Sequence, residues 1–330
     1  MSHNKNNKST ILEDFAKEVM NGLGKKRKKL NPTLFYDQKG SELFEQICMQ
    51  PEYYLTLTEY KIIIENINSL LKLYDNKEIC IVELGSGSSK KTKILLKYFL
   101  EKQNGNLHYF PIDISQEFLY KSSLNLQIDL PKIIIHSIAS DYFEGLEIVT
   151  KFLNSQHTIP NNKLILFLGS SLGNFEPKNA IIFLRKIREK FNKEDSLLIG
   201  FDLPKKKNIL EAAYNDVEGI TAKFNLNILE RINKELDGEF NLKNFEHLAY
   251  YNQFKKRIEM HLISKVKQNV KINKLNQVFV FKEGETILTE HSYKYTLKSI
   301  EELASRSRFK VEKNFLDKNG WFDLALLTPF

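Results

Sequence analysis

Residues 77–102 read KEICIVELGSGSSKKTKILLKYFLEK, and this stretch decides the fold. Its first part, Ile79 to Leu84, is a short apolar run rich in β-formers. A glycine turn, Gly85-Ser86-Gly87-Ser88-Ser89, follows and opens a helical stretch. Such a strand–turn–helix unit lets backbone approach a ligand closely, because glycine has no Cβ. The alternation repeats downstream. LHYFPIDIS (107–115) reads as a strand and QEFLYKSSLNLQ (116–127) as a helix. KIIIHSIASD (132–141) reads as a strand, and KLILFLGSSLGNF (163–175) as a buried one. PKNAIIFLRKIREKF (177–191) reads as a helix and SLLIGFDL (196–203) as a further strand. Strands alternating with helices predict an α/β fold with a parallel sheet covered on both faces.

The end of the chain differs. SIEELASRSRF (299–309) reads as a helix, and VEKNFLDK (311–318) and WFDLALLTPF (321–330) as strands across an Asn319-Gly320 turn. Two strands joined that way form an antiparallel hairpin. A Rossmann-like sheet closing on such a hairpin resembles the class I methyltransferases. The region 208–295 begins helical and becomes β-rich and polar. It reads as an inserted mixed α+β substrate-binding or lid domain, joined by residues 10–60. Residues 61–207 with 296–330 form the cofactor-binding domain, and residues 1–9 a flexible tail.

The composition agrees. A chain of 330 residues suits about two domains. At 42% hydrophobic and 27% charged it can bury a core, which excludes wholesale disorder, a coiled coil and a collagen-like chain. No apolar run approaches the roughly 18–20 residues of a membrane span. The net charge of +8 raises the question of a nucleic-acid partner. The one dense basic run, Lys25 to Lys29, follows a helical stretch, ILEDFAKEVMNGLG (11–24), that Gly24 ends. Cations are ordinary at a helix C-terminus, so the charge reads as a solvated surface with no nucleic acid and no membrane bound. Cys48 and Cys80 have apolar neighbours and read as free thiols. No apolar segment follows MSHNKNNKST as a secretory leader would require, which predicts a cytoplasmic protein.

The glycine turn lacks the third glycine of a dinucleotide fingerprint, since position 90 is Lys90. A pyrophosphate is therefore less well served than a carboxylate-bearing cofactor such as S-adenosylmethionine. Asp113 ends the second strand, where an acid can accept from both ribose hydroxyls. Asp141 after the third strand can accept from the adenine amine. Each aspartate taken alone reads equally well as a turn or helix cap. The fourth strand runs into Gly169-Ser170-Ser171-Leu172-Gly173-Asn174. The Asn174 amide offers two N–H donors and one acceptor, which suits the amine and carboxylate of an amino acid. Its competing reading is a helix N-cap.

At this point the sequence resembles a known family. FYDQKGSELFEQI (35–47), PEYY (51–54), ELGSGSSKKT (83–92), PIDIS (111–115), FLGSSLGNF (167–175) and TEHS (289–292) together look like the histidine Nα-methyltransferases. These S-adenosylmethionine enzymes make hercynine, the trimethylated histidine betaine, on the route to ergothioneine. The resemblance implies that Tyr36 lies near the substrate amine and Tyr53 near the imidazole. It implies that Asn174, with Gly169 in the same turn, and Tyr214 hold the amino and carboxylate groups. Met260 lines the side-chain pocket, and Glu290 and Ser292 bind the imidazole. Glu83, Gly85, Ser86, Gly87, Lys91, Asp113 and Asp141 fall on the cofactor side. Tyr142 stands where the family leads us to expect a Phe beside the adenine, a swap that keeps the stacking face.

Taken singly, Tyr36, Tyr53 and Tyr214 read as core or rim tyrosines, Met260 as core, and Glu290 with Ser292 equally well as a solvated strand edge. Glu290 and Ser292 are two apart, so on a strand they share a face and can hold both nitrogens of an imidazole. The implied reaction is in-line attack of the histidine α-amine on a sulfonium methyl, three times, leaving S-adenosylhomocysteine each time. Tyr36 and Asn174 are the candidates for handling the amine. No metal is implied, His136, His261 and His291 read as structural, and the enzyme reads as a monomer. Other readings are an Nα-methyltransferase for tryptophan or tyrosine, a protein or RNA methyltransferase suggested by the charge, and a non-catalytic binder on the same fold.

Overall fold

Val82 lies at the centre of the molecule's main sheet, paired with Phe110 on one side and Ile165 on the other. The computed structural model describes residues 2–75, 77–156 and 158–330, with side chains from residue 12 onward. The tail expected over 1–9 falls on residues whose side chains lie outside that description, although a helix is traced over Ser2–Leu23. Strands among the described residues are β1 (Cys80–Leu84), β2 (His108–Asp113), β3 (Ile134–Ile135), β4 (Ile138–Ala139), β5 (Lys163–Phe167) and β6 (Ser196–Asp202). They continue as β7 (Phe245–Asn252), β8 (Arg257–Ser264), β9 (Gln268–Ile272), β10 (Gln277–Phe281), β11 (Thr286–Tyr293), β12 (Phe309–Leu316) and β13 (Phe322–Pro329).

The chain divides into two compact units. One comprises Met1–Tyr53 with Lys206–Ser292, the other Tyr54–Lys205 with Tyr293–Phe330. The second unit holds the main sheet, in the order β12-β13-β6-β5-β1-β2-β3, with β4 also on β2. Pairings from β6 through β5, β1 and β2 to β3 and β4 are parallel, while β12–β13 and β13–β6 are antiparallel. This is the class I methyltransferase arrangement, a parallel sheet with the predicted C-terminal hairpin. β1, β5 and β6 are buried throughout, as strands covered on both faces must be. Gly320 takes φ +64° at the hairpin turn.

One element departs from the sequence reading. The strand expected over 132–141 is two fragments of two residues each. His136 and Ser137 interrupt it at the sheet edge. The His136 N–H still donates to the Tyr109 carbonyl of β2 at 2.8 Å, and its ring stacks on Phe110 at 4.5 Å and on His108 at 5.3 Å.

The first unit carries a three-stranded sheet, β11-β8-β7, and a two-stranded one, β10-β9. The long helix Ile220–Leu236 packs there through buried Phe224, Ile228, Leu229 and Ile232. The basic run has a structural use. Gly24 follows the first helix, Lys28 pairs with Glu285 at 2.6 Å, and the backbone of 28–30 bonds to Leu288 at the edge of β11. No helix among the described residues is long and apolar enough to cross a membrane.

Candidate active site

The second unit brings the cofactor candidates to the carboxyl ends of β1 and β2, where ligands of open α/β sheets sit. Gly85 has φ +71°, a conformation that favours glycine, and a Cβ there would lie a tight 3.2 Å from the Tyr142 hydroxyl. The Gly87 N–H donates to Asp113 Oδ2 at 3.0 Å, and the Ser115 N–H to Oδ1 at 3.0 Å. Asp113 is thus fixed at the turn with acceptor capacity left on each oxygen. Burial pushes its carboxyl above the ordinary value, and these backbone N–H groups oppose the rise. The buried Ser86 Oγ has no hydrogen-bond partner among the described residues. A buried hydroxyl left orphaned is costly unless a ligand completes it, so the turn fits a polar cofactor group.

Glu83 turns inward at the end of β1. It accepts from Thr92 Oγ1 at 2.5 Å and from the Tyr109 hydroxyl. Burial pushes its carboxyl up to about 7, against the pull of those two bonds. Its role in the cofactor site therefore passes through the shape of the turn. Asp141 caps the helix Tyr142–Ser155, Oδ1 accepting from the Phe143 and Glu144 N–H groups at 2.8 and 3.0 Å. Here the cap reading and the ligand reading coexist, since both bonds fall on one oxygen. The Tyr142 ring is set edge-on against Phe167 and Phe183, at 5.5 and 5.8 Å.

Lys91 is not an open cation at the turn. Its ammonium pairs with Glu59, a fully buried carboxylate on the helix Tyr54–Lys72. Glu59 also accepts the Gly169 N–H at 2.9 and 3.0 Å. Glu59 therefore ties the β1 turn to the β5 turn, and the sequence reading missed it. The available signal was an acid on the apolar stripe Leu55, Ile62, Ile63, a position a helix normally fills with a hydrophobe. Asn174 ends the 3-10 turn Ser171–Asn174, and the following helix starts at Pro177 with Glu176 in the cap position. The N-cap alternative for Asn174 is thereby overturned. Asn174 is half-buried, and its amide makes no hydrogen bond among the described residues.

The first unit gathers the substrate candidates other than Gly169 and Asn174. Asp37 caps the helix Gln38–Ile47 through the Gly40 N–H at 2.7 Å, and also receives Asn227 Nδ2 at 2.9 Å. A Cβ on Gly40 would lie 1.7 Å from the Phe35 carbonyl oxygen, so only glycine lets the chain turn here. These residues of the FYDQKG stretch serve to present Tyr36. Its ring meets Phe44 at 5.8 Å and Phe224 at 5.9 Å. Phe44 also meets Tyr53 at 6.2 Å, and Tyr53 meets Tyr214 at 6.3 Å, each edge-on. The Tyr53 hydroxyl is held well above its ordinary pKa, first by burial and then by charge on Tyr214, Cys48, Glu290 and Tyr36. Tyr53, Tyr214 and Glu290 are thus buried in one neighbourhood, with Tyr36 half-buried at its side.

Glu290 and Ser292 are buried on β11 and point to one side of it. Thr289 points to the other side, bonding Asn225 Oδ1 at 2.6 Å and the Met260 carbonyl at 3.1 Å. The β11 register against Met260 of β8 is fixed by that contact, and Met260 is buried. Tyr214 is locked through its carbonyl, which accepts from His247 Nε2 at 2.9 Å. No cluster of three or more His, Cys, Asp or Glu side chains able to hold a metal is found among the described residues.

Known proteins were then compared with this chain. A histidine N-alpha-methyltransferase of Mycobacterium tuberculosis is 35% identical over 312 residues, spanning 94% of this chain and 93% of that one. A histidine N-alpha-methyltransferase of Mycolicibacterium smegmatis is 33% identical over 319 residues, spanning 96% and 95%. Ergothioneine biosynthesis protein 1 of Schizosaccharomyces pombe is 30% identical over 296 residues, 88% of this chain but 37% of that longer protein. The model of the histidine-specific, S-adenosylmethionine-dependent methyltransferases matches residues 15–329. With nearly its whole length matched, the chain belongs to that family.

Proposed function

We propose that this protein transfers three methyl groups from S-adenosylmethionine to the α-amino group of L-histidine, giving hercynine for ergothioneine synthesis. The observation that carries the reading is the grouping of half-buried Tyr36 with buried Tyr53, Tyr214 and Glu290 in the first unit. The two bacterial relatives, whose names specify histidine and its α-nitrogen, support it.

When bound, S-adenosylmethionine supplies an electrophilic methyl group on a sulfonium. That group needs little activation, so the protein's task is placement of the amine. Gly85, Ser86 and Gly87 receive the amino-acid end of the cofactor, Asp113 its ribose, and Asp141 and Tyr142 its adenine. Lys91, paired with Glu59, fixes the turn. Asn174 donates to the substrate carboxylate and accepts from its amine. Tyr214 adds a donor to the carboxylate. Glu290 and Ser292 pair with the two imidazole nitrogens, and Tyr53 and Met260 close the ring's pocket. The amine attacks in its neutral form with S-adenosylhomocysteine as the leaving group, and in the first two transfers the Tyr36 hydroxyl accepts a hydrogen bond from its N–H. The ammonium formed in each of those two gives its proton to water before the next attack; each methylation adds bulk, and the third begins with no N–H left. The Tyr36 ring, backed by Phe44 and Phe224, offers an aromatic face to the growing ammonium. The protein acts as a cytoplasmic monomer in this reading.

The test is incubation with S-adenosylmethionine and each amino acid in turn, followed by product mass measurement. Trimethylhistidine as the main product is the expected result. Turnover of tryptophan or tyrosine in preference to histidine, or of no amino acid, would overturn the reading.

A further inference from the structure

The second unit contains a buried polar cluster that the reaction as described does not use. Asp202 ends β6 and is fully buried. Its carboxylate accepts the Tyr54 hydroxyl at 2.9 and 2.7 Å, Lys294 Nζ at 2.6 Å, and Lys205 Nζ. The side chains of Lys205 and Lys294 are themselves 2% and 0% exposed. Lys205 Nζ also donates to the Tyr54 hydroxyl and the Leu203 carbonyl, both at 2.7 Å, and sits 4.3 Å from the centre of the Tyr54 ring. The Asp202 N–H donates to Ser170 Oγ at 2.9 Å, and its carbonyl accepts the Tyr295 N–H at 2.9 Å.

The chain positions of these partners matter. The chain passes between its two units at 53/54, 205/206 and 292/293. Tyr54, Lys205 and Lys294 each stand within two residues of one of these passages. Tyr54 is the covalent neighbour of Tyr53. Lys294 follows Glu290 and Ser292 on the same segment, and Ser170 is next to Gly169 in the Asn174 turn. Buried ion pairs are a poor source of net stability, because desolvation offsets the attraction. Burying two lysines on one aspartate is better explained as a device for specifying geometry.

We propose that Asp202 is a positioning residue for the methyl transfer: through Tyr54 and Lys294 it fixes the backbone from which Tyr53 and the Glu290–Ser292 pair are carried. Burial alone would raise the Asp202 pKa, but the Lys294 and Lys205 ammonium groups override it and hold the carboxylate ionised. Burial pushes the Lys205 ammonium down to about 8, so above that pH the pairing rests on Lys294. The kinetic form of the inference rests on the proposed function, since it concerns histidine as substrate.

Replacing Asp202 itself strands two buried ammonium groups and threatens folding, so the partners are the informative variants. Tyr54→Phe keeps the ring over Lys205 and removes the hydroxyl's bonds to Asp202 and Lys205. Lys294→Met leaves Asp202 paired with Lys205. Both variants are predicted to fold. In each, KM for histidine rises and kcat falls, together lowering kcat/KM about tenfold, while the affinity for S-adenosylmethionine stays within about twofold. Backbone amides in segments 50–54 and 290–295 exchange with deuterium about tenfold faster, and those of β1 do not change. Native kinetics for histidine in both folded variants would overturn the inference. If the wild type turns over no histidine, the functional reading fails by itself. The exchange rates then decide, and native exchange in both segments overturns the positioning role.

Discussion

The candidate residues fall into two halves built on different principles. The cofactor half, in the second unit, hangs on a backbone turn, with Ser86, Asp113, Asp141 and Tyr142 as the side chains set around it. Gly85, Gly87 and the Ser115 N–H shape a turn whose placement follows from β1 and β2 being adjacent parallel strands. The substrate half is made of side chains drawn from separated segments: Tyr36 and Tyr53, Tyr214, Met260, and Glu290 with Ser292 in the first unit, and Asn174 in the second. A backbone cradle is generic and serves one cofactor across many reactions, whereas a set of converging side chains is where discrimination among amino acids resides. The difference predicts that substitutions in the two halves will separate cleanly in kinetics.

The largest effect is expected from Glu290→Ala. A buried polar site rejects a ligand that leaves its groups unpaired, and equally loses the ligand whose partner is removed. We expect kcat/KM for histidine to fall about a hundredfold, with selectivity relaxed towards aromatic amino acids. Binding of S-adenosylmethionine, measured by calorimetry, should stay as in the wild type. Equal kcat/KM for histidine in mutant and wild type would remove Glu290 from the substrate half.

A smaller and opposite split is expected from Gly85→Ala. The new Cβ must adopt φ +71° and meets the Tyr142 hydroxyl at 3.2 Å. Strain of that kind costs about 1–3 kcal/mol, which corresponds to about a tenfold loss of affinity for S-adenosylmethionine. The preference for histidine over other amino acids should be unchanged, since none of the residues that read the side chain moves. A variant that altered that preference would show that the two halves are not separable in this way.

The same contrast explains what could be read from the sequence. The β1 turn is legible because strand, glycines and helix are contiguous, and local pattern suffices for a local structure. The C-terminal hairpin is legible for the same reason, with Asn319-Gly320 between its strands. Glu290 and Ser292 could be assigned to a common strand face, but nothing local connects them to Tyr36, more than two hundred residues away. Only the resemblance to a family brought those residues together. Glu59 and Asp202 were missed because each does its work through long-range partners. Glu59 sits in an otherwise ordinary amphipathic helix and meets Gly169, 110 positions on. Asp202 looks like any acid closing a strand, and its bonds to Tyr54 and Lys294 appear only once the sheet is assembled. The interrupted third strand failed for a related reason. An apolar run suggests a ladder, but His136 is held by the rings of its neighbours.

The smallest effect concerns pH, and it too distinguishes the units. In the second unit, burial pushes the Asp323 carboxyl up to about 7 against a weaker pull from the Phe315 backbone. A carboxyl with a folded pKa above its unfolded value near 3.8 binds more protons folded than unfolded between those limits. Its contribution to stability therefore declines as pH rises from about 4 to about 7, and is flat above. In the first unit, burial would raise Glu259, but hydrogen bonds from Tyr250 and Arg257 override it and bring the carboxyl down to about 2. Its contribution is complete above the unfolded value of 4.5 and is lost as pH falls towards 2. Thermal melts across this range should show the wild type declining on both limbs. Asp323→Asn should flatten the limb between about 4 and 7 by a few degrees and leave the acid limb alone. Glu259→Gln should do the reverse. If both variants altered the same limb, the pH response would belong to the whole chain and not to its separate units.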